Sequence, residues 1–245
     1  MGEKEPYENY TITHGLCEKC EKEDGLLDKN RLKKIHLVID YFRKLKKEVS
    51  VTSTVKVEAI IKEGLEIGIK PEDIAIGMVQ PLLYEIGEMW AAGRASIAQE
   101  HKVTAHCSEL IDVLLSKSAK AGSLRNSLKP KVLLVLADGN YHTLGLRIIE
   151  IFLVAKNIPS YVVIPGLPAG EVEKLVIELK PEIVGVSVSL VPQLESVREL
   201  ARNLKNLPAR SRPRIIIGGQ AVRMGLTVRP DWGIEVMTDF RCIWR

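Results

Sequence analysis

"KVLLVLADGNYHTLGL", residues 131–146, decides the fold of this chain. Its first seven residues are almost wholly apolar, with no polar alternation. That is how a parallel strand reads when both of its faces are covered. Asp138, Gly139 and Asn140 then break the run. An amphipathic stretch over 143–156 follows, so the segment reads as strand, loop and helix. In an open parallel sheet, ligands bind beyond the carboxyl ends of the strands. His142 lies in that loop, three residues before Gly145. It can serve there as a capping residue, a catalytic base or a metal ligand.

The same alternation continues downstream. "SYVVIP" (160–165), "EIVGVSV" (182–188) and "RIIIGG" (214–219) are short runs rich in valine and isoleucine. Helical patterns over 168–179 and 192–205 separate them. "GIEVM", 233–237, reads as a fifth strand. Strand–helix alternation predicts a doubly wound, flavodoxin-like parallel sheet over 131–245. Too little chain follows residue 237 for the usual closing helix, so the domain is expected to lack its last helix.

Upstream the periodicity changes to that of helices. "KNRLKKIHLVIDYFRKLKKEV" sets Leu32, Ile35, His36, Ile39, Phe42 and Leu45 at helical spacing. "TSTVKVEAIIKEGLEIG" is a second helix. A third opens at Pro71, with Glu72 and Asp73 suited to the positive helix end. Pro81 should kink or split it, and Gly93 should stop it. Ser96 and Gln99 form a capping box for a fourth helix, "IAQEHKVTAHCSELIDVLLSKSAK". Short connections favour an antiparallel four-helix bundle over 29–120. Residues 1–28 read as a polar tail and 121–130 as a linker.

The chain has 245 residues and a net charge of +4, with 35 basic residues against 31 acidic ones. Its lysines are interspersed with glutamates, and no basic stripe carries aromatics. Direct DNA binding by this chain is therefore not expected. No apolar run approaches the ~18 residues of a membrane span. The polar start and the four cysteines fit neither a secretory signal nor a disulfide framework, so a cytoplasmic location is expected.

The loop chemistry excludes nucleotide sites common to such sheets. No G-x-G-x-x-G follows the first strand, and there is no Walker lysine. The order His142, Gly145, about 41 residues, Ser187, then Gly218-Gly219 is informative. It resembles the D-x-H-x-x-G, S-x-L, G-G pattern of the cobalamin-binding domain family over about residues 130–230. The resemblance implies that His142 is the lower axial ligand of cobalt, with Gly145 giving close approach to the corrin. Tyr141, Thr143, Leu144 and Ser189 would line the cofactor. Ser187 would hydrogen-bond the cofactor's displaced base, and Gly218 and Gly219 would leave room for its nucleotide tail. Two positions depart from the pattern: Asn140 replaces Asp, and Ser189 replaces Leu. An aspartate would hold the second imidazole nitrogen and raise the basicity of the ligand. Asn140 can accept that bond without a charge, which predicts a more weakly held histidine. Asp138 is a possible substitute at a different spacing.

In the helical zone, Trp90 precedes Glu100-His101 by nine intervening residues. W-x9-E-H resembles the signature of light-sensing regulators that use adenosylcobalamin beneath a helical cap. By that resemblance Trp90 packs on the adenosyl group, Glu100 hydrogen-bonds it and His101 completes the upper pocket. Ala91 stands where some such sensors carry a histidine that takes the upper cobalt position after illumination. His101 and His106 are nearby candidates for that position. The expected output is self-association, as a homo-oligomer, or a partner protein. The rival readings are a corrinoid methyl carrier using methylcobalamin and a haem or other tetrapyrrole sensor. "THGLCEKC" adds His14, Cys17 and Cys20, too few ligands for a closed zinc site. Cys107 falls mid-helix and reads as core.

Overall fold

The computed structural model describes residues 29–51, 54–117 and 124–240. His14, Cys17, Cys20 and the tail expected over 1–28 lie outside them. The chain divides between Leu114 and Leu115 into two compact units.

The first unit is helical. α1 spans Lys29–Val51, α2 Val57–Glu66, α3 Pro71–Ile74, α4 Gln80–Ala91 and α5 Ile97–Lys117. Pro81 does interrupt the regular α-helical ladder of the third predicted helix, but it does not end the helix. A π-helical turn, Ala75–Val79, joins α3 to α4, and Gln80 N–H donates to Ala75 O. Proline cannot donate an amide hydrogen, and its ring excludes the carbonyl four residues back. The wider turn ahead of Pro81 keeps the helix continuous. Ser96 and Gln99 form the expected reciprocal cap. Gln99 N–H donates to Ser96 Oγ at 3.2 Å, and Ser96 N–H donates to Gln99 Oε1 at 2.8 Å.

α1 buries Leu45 fully and Leu32, Ile35 and Ile39 in part, as the spacing predicts, with one exception on that face and one addition to it. His36 is exposed and Phe42 is half-buried, while Tyr41 is buried and donates from its hydroxyl to Ile60 O at 3.0 Å. A Cβ on Gly64 would meet the Tyr41 ring at 2.6 Å. That contact explains a glycine inside α2, where it costs about 1 kcal/mol relative to alanine. Lys46 of α1 pairs with Glu85 of α4 at 2.6 Å.

The second unit is the predicted parallel sheet. β1 (Val132–Leu136), β2 (Ser160–Val163), β3 (Ile183–Ser187), β4 (Arg214–Gly218) and β5 (Ile234–Val236) lie in the order β2-β1-β3-β4-β5, all parallel. α6 (Leu144–Ala155), α7 (Ala169–Leu179) and α8 (Leu194–Lys205) are the crossover helices, and α9 (Gln220–Arg223) is a single turn after β4. Every residue of β1 is buried, which accounts for its unbroken apolar run. Part of the expected linker is tied to this unit. Arg125 grips the buried Glu150 of α6 with two hydrogen bonds, and Ser127 N–H donates to Ser160 O. Among the described residues after β5, Phe240 packs edge-on against Phe152 of α6, with ring centroids 4.9 Å apart.

The chain leaves β1 for β2 on one side and then crosses to β3 on the other. The strand order therefore reverses between β1 and β3, which opens a crevice at their carboxyl ends. Register carries one row across that edge: Leu136 is level with Ser187, and Ser187 with Gly218.

Candidate functional site

His142, Ser187, Gly218 and Gly219 meet at that reversal because three strands end there in register. The loop after β1 turns through Gly139, whose φ is +72°. Asn140 then folds inward and is only 1% exposed. Its Nδ2 donates to Ser187 O at 2.8 Å. Its Oδ1 accepts from the backbone N–H of His142 at 3.0 Å and lies 3.2 Å from His142 Nδ1. The orientation of this amide is fixed by chemistry. A carbonyl can only accept and a backbone N–H can only donate, so the NH2 group faces Ser187 and the oxygen faces His142. That oxygen holds the hydrogen on Nδ1, leaving the lone pair on Nε2 for a metal. Asp138 is exposed, and the residue that meets His142 is Asn140.

The surroundings suit a large, partly apolar ligand. His142 and Gly145 are exposed, and Thr143 and Leu144 are partly so. A Cβ on Gly145 would meet no atom within 4 Å, so no protein packing demands a glycine there. Tyr141 is 80% exposed, and Leu190, Val191 and Met224 are also large apolar side chains left open on loops at this edge. Gln220, at the start of α9, has a buried Oε1 with no hydrogen-bond partner. A buried acceptor of this kind is costly unless a donor arrives to meet it. Among the described residues no three His, Cys, Asp or Glu side chains converge. A single imidazole suits a metal whose other ligands come with a macrocycle.

The glycine pair has a second explanation. Gly219 has φ +107°, and a Cβ there would lie 2.5 Å from Val188 O. The backbone itself therefore requires Gly219, whatever room it also leaves for a ligand. Gly218 is less constrained, with Met237 O 3.3 Å from its would-be Cβ. Ser189 is held through its backbone N–H by Gln193 Oε1 at 2.9 Å. Sequence reasoning missed Gln193 and Gln220, since neither stands in a motif.

In the helical unit, Trp90 lies at the end of α4 and Glu100 in the first turn of α5. Trp90 is 52% exposed, so it is not a core aromatic. Glu100 Oε1 accepts from Thr104 Oγ1 at 2.8 Å, and its Oε2 lies 3.6 Å from His101 Nε2. His101 is exposed. His106 is removed from the candidates for an upper ligand: it is buried, with Nδ1 2.9 Å from Val49 O. Cys107 is core as expected, its thiol pushed up to about 12 by burial.

A helical unit followed by a five-stranded parallel sheet is the arrangement of a cobalamin-binding protein. The B12 binding domain family matches residues 130–231, and a second B12 binding domain family matches residues 42–115. The chain belongs to the B12-binding domain family. It is 26% identical over 146 residues to the HTH-type transcriptional repressor CarH of Myxococcus xanthus, covering 60% of this chain and 46% of that protein. It is 23% identical over 185 residues to the trimethylamine corrinoid protein of Methanosarcina barkeri, covering 74% and 81%. The solved monomethylamine corrinoid protein of Methanosarcina barkeri shares the fold at a TM-score of 0.66 and 16% identity, covering 82% of this chain and 92% of that one. No described helix is long and apolar enough to cross a membrane.

Proposed function

We propose that this protein is an adenosylcobalamin-dependent light sensor that signals through self-association or a partner protein. One observation supports this most: Trp90, half exposed at the end of α4, with Glu100 in the next helix's first turn. An indole left in water forgoes about 25 cal/mol for each Å² of apolar surface. A ligand that covers it recovers that energy. Bound adenosylcobalamin supplies a cobalt–carbon bond that light can break. His142 would hold the cofactor's metal through Nε2, while Asn140 keeps its Nδ1 hydrogen. Trp90 would offer an apolar surface, and Glu100 an acceptor, to the adenosyl group. Loss of that group would remove those contacts, and such differential contacts are what allow a ligand to bias a conformational equilibrium.

A second reading, a corrinoid methyl carrier, is favoured by the 81% of the trimethylamine corrinoid protein that the alignment covers. Reconstitution with adenosyl- and methylcobalamin side by side separates the two. The sensor reading expects tighter binding of the adenosyl form, and spectral and size-exclusion changes under green light. Preference for the methyl form without a photoresponse would establish the carrier instead.

A further inference from the structure

Two side-chain amides lock the His142 loop to the loop after β3. Asn140 Nδ2 donates to Ser187 O at 2.8 Å. Gln193 works in the opposite direction. Its Nε2 donates to Gly139 O at 3.1 Å, and its Oε1 accepts from Ser189 N–H at 2.9 Å and Leu190 N–H at 3.0 Å. Gly139 and Asn140 are adjacent, so one loop is gripped at two consecutive residues. Both amides are buried. Each must donate and accept at once, which a carboxylate cannot do.

We propose that Asn140 and Gln193 are positioning residues that aim His142 at cobalt, and that residue 140 must be an amide. An aspartate there, although it matches the pattern this chain resembles, would weaken the axial bond. The proposal rests on the cobalamin reading of the site. Two effects compete. A negative charge beside Nδ1 raises the basicity of the imidazole. The same carboxylate turns an acceptor toward Ser187 O, a buried acceptor, where the repulsion is poorly screened. Geometry dominates here because Oδ1 of Asn140 also anchors the backbone N–H of His142. A loop pushed off Ser187 carries its histidine with it. Gln193→Glu is the parallel case: it keeps the bonds to Ser189 and Leu190 and sets an acceptor against Gly139 O.

The test uses full-length native protein, Asn140→Asp, Gln193→Glu and His142→Ala, all grown with ¹⁵N-histidine. Electron paramagnetic resonance of bound cob(II)alamin shows the axial nitrogen directly. A ¹⁵N ligand from the protein splits each cobalt line in two, and the cofactor's own ¹⁴N base splits it in three. Thermal unfolding of the apo proteins is measured in parallel. Native protein should show doublets, and His142→Ala none. Asn140→Asp and Gln193→Glu should each lose the doublet from more than half of the bound cofactor. Their apo midpoints should fall by about 5 °C. Full doublets and unchanged midpoints in both variants would overturn the proposal. If native protein binds cobalamin without a doublet, the His142 ligand reading fails. The apo midpoints then decide alone whether position 140 requires an amide.

Discussion

His142 and Trp90 are both exposed, but the structure treats them differently. His142 stands on a loop braced by two side-chain amides: Asn140 ties it to Ser187 O at the end of β3, and Gln193 ties Gly139 O to the loop after β3. Trp90 stands at a helix end whose turn is closed by backbone bonds, among them Gly93 N–H to Trp90 O and Arg94 N–H to Met89 O, and is followed by the Ser96–Gln99 cap. Glu100 accepts from Thr104 Oγ1, and its Oε2 lies 3.6 Å from His101 Nε2. The sheet edge therefore holds His142 pre-oriented, and rigid placement lowers the cost of binding. The helix junction is held by hydrogen bonds within its own exposed turns, and such local structure opens at lower cost than core strands do. The proposed sensor would use both properties: a braced histidine to hold a cofactor and an exposed indole whose contacts depend on the cofactor's state.

The rigid half is broken most severely at Gly219. Gly219→Ala places a Cβ 2.5 Å from Val188 O at φ +107°. Backbone strain and overpacking together should cost about 3 kcal/mol of stability. Denaturant unfolding of the apo protein measures this, and a loss below about 1 kcal/mol would mean the edge yields easily. His142→Ala should leave apo stability near native, because the ring is exposed. It should weaken cobalamin binding about 100-fold, or about 2.7 kcal/mol. Equilibrium dialysis checks this, and native-like affinity would remove His142 from the cobalt.

The strand ends carrying that half could be read from the sequence because parallel strands buried on both faces become unbroken Val/Ile runs. Each run's end then dates the loop after it, so His142, Ser187 and Gly218 were placed on one edge before their register was seen. The braces could not be read. Asn140 and Ser187 are 47 residues apart, and Gln193 and Gly139 are 54. Their meeting depends on register, which composition does not encode. The apolar face of α1 was legible except for Tyr41, whose seat exists only because Gly64, on another helix, leaves room for its ring. Pro81 signalled an interruption but not its form, a π turn one residue upstream of the Gln80–Pro81 pair. Gln220 carried no signal at all, since an orphaned acceptor exists only once its surroundings are packed.

The soft half is sharpened by Trp90→Ala. Apo stability should change by less than about 1 kcal/mol, because half of the ring is already in water. The preference for adenosyl- over methylcobalamin should fall about tenfold, the loss of one contact worth about 1.4 kcal/mol. Competition binding in the dark reads this ratio. An unchanged ratio would show that Trp90 does not touch the group that distinguishes the two cofactors, and the helix junction would lose its assigned role.

Ser96→Ala probes the same junction with the smallest expected effect. The serine accepts from Gln99 N–H, and its own N–H is held by Gln99 Oε1, so the cap fixes where α5 begins. Its removal should cost about 1 kcal/mol. Glu100 lies one residue beyond Gln99, in the turn that this cap orders. Fraying there should loosen Glu100 while Thr104, a turn further in, still holds its Oε1. The two contributions separate by measurement: hydrogen exchange at residues 97–100 should quicken in the apo variant, while dark affinity for adenosylcobalamin falls by less than about threefold. A tenfold loss would show that the start of α5 is itself pre-ordered for the ligand, and the contrast between a rigid and a yielding half would not hold.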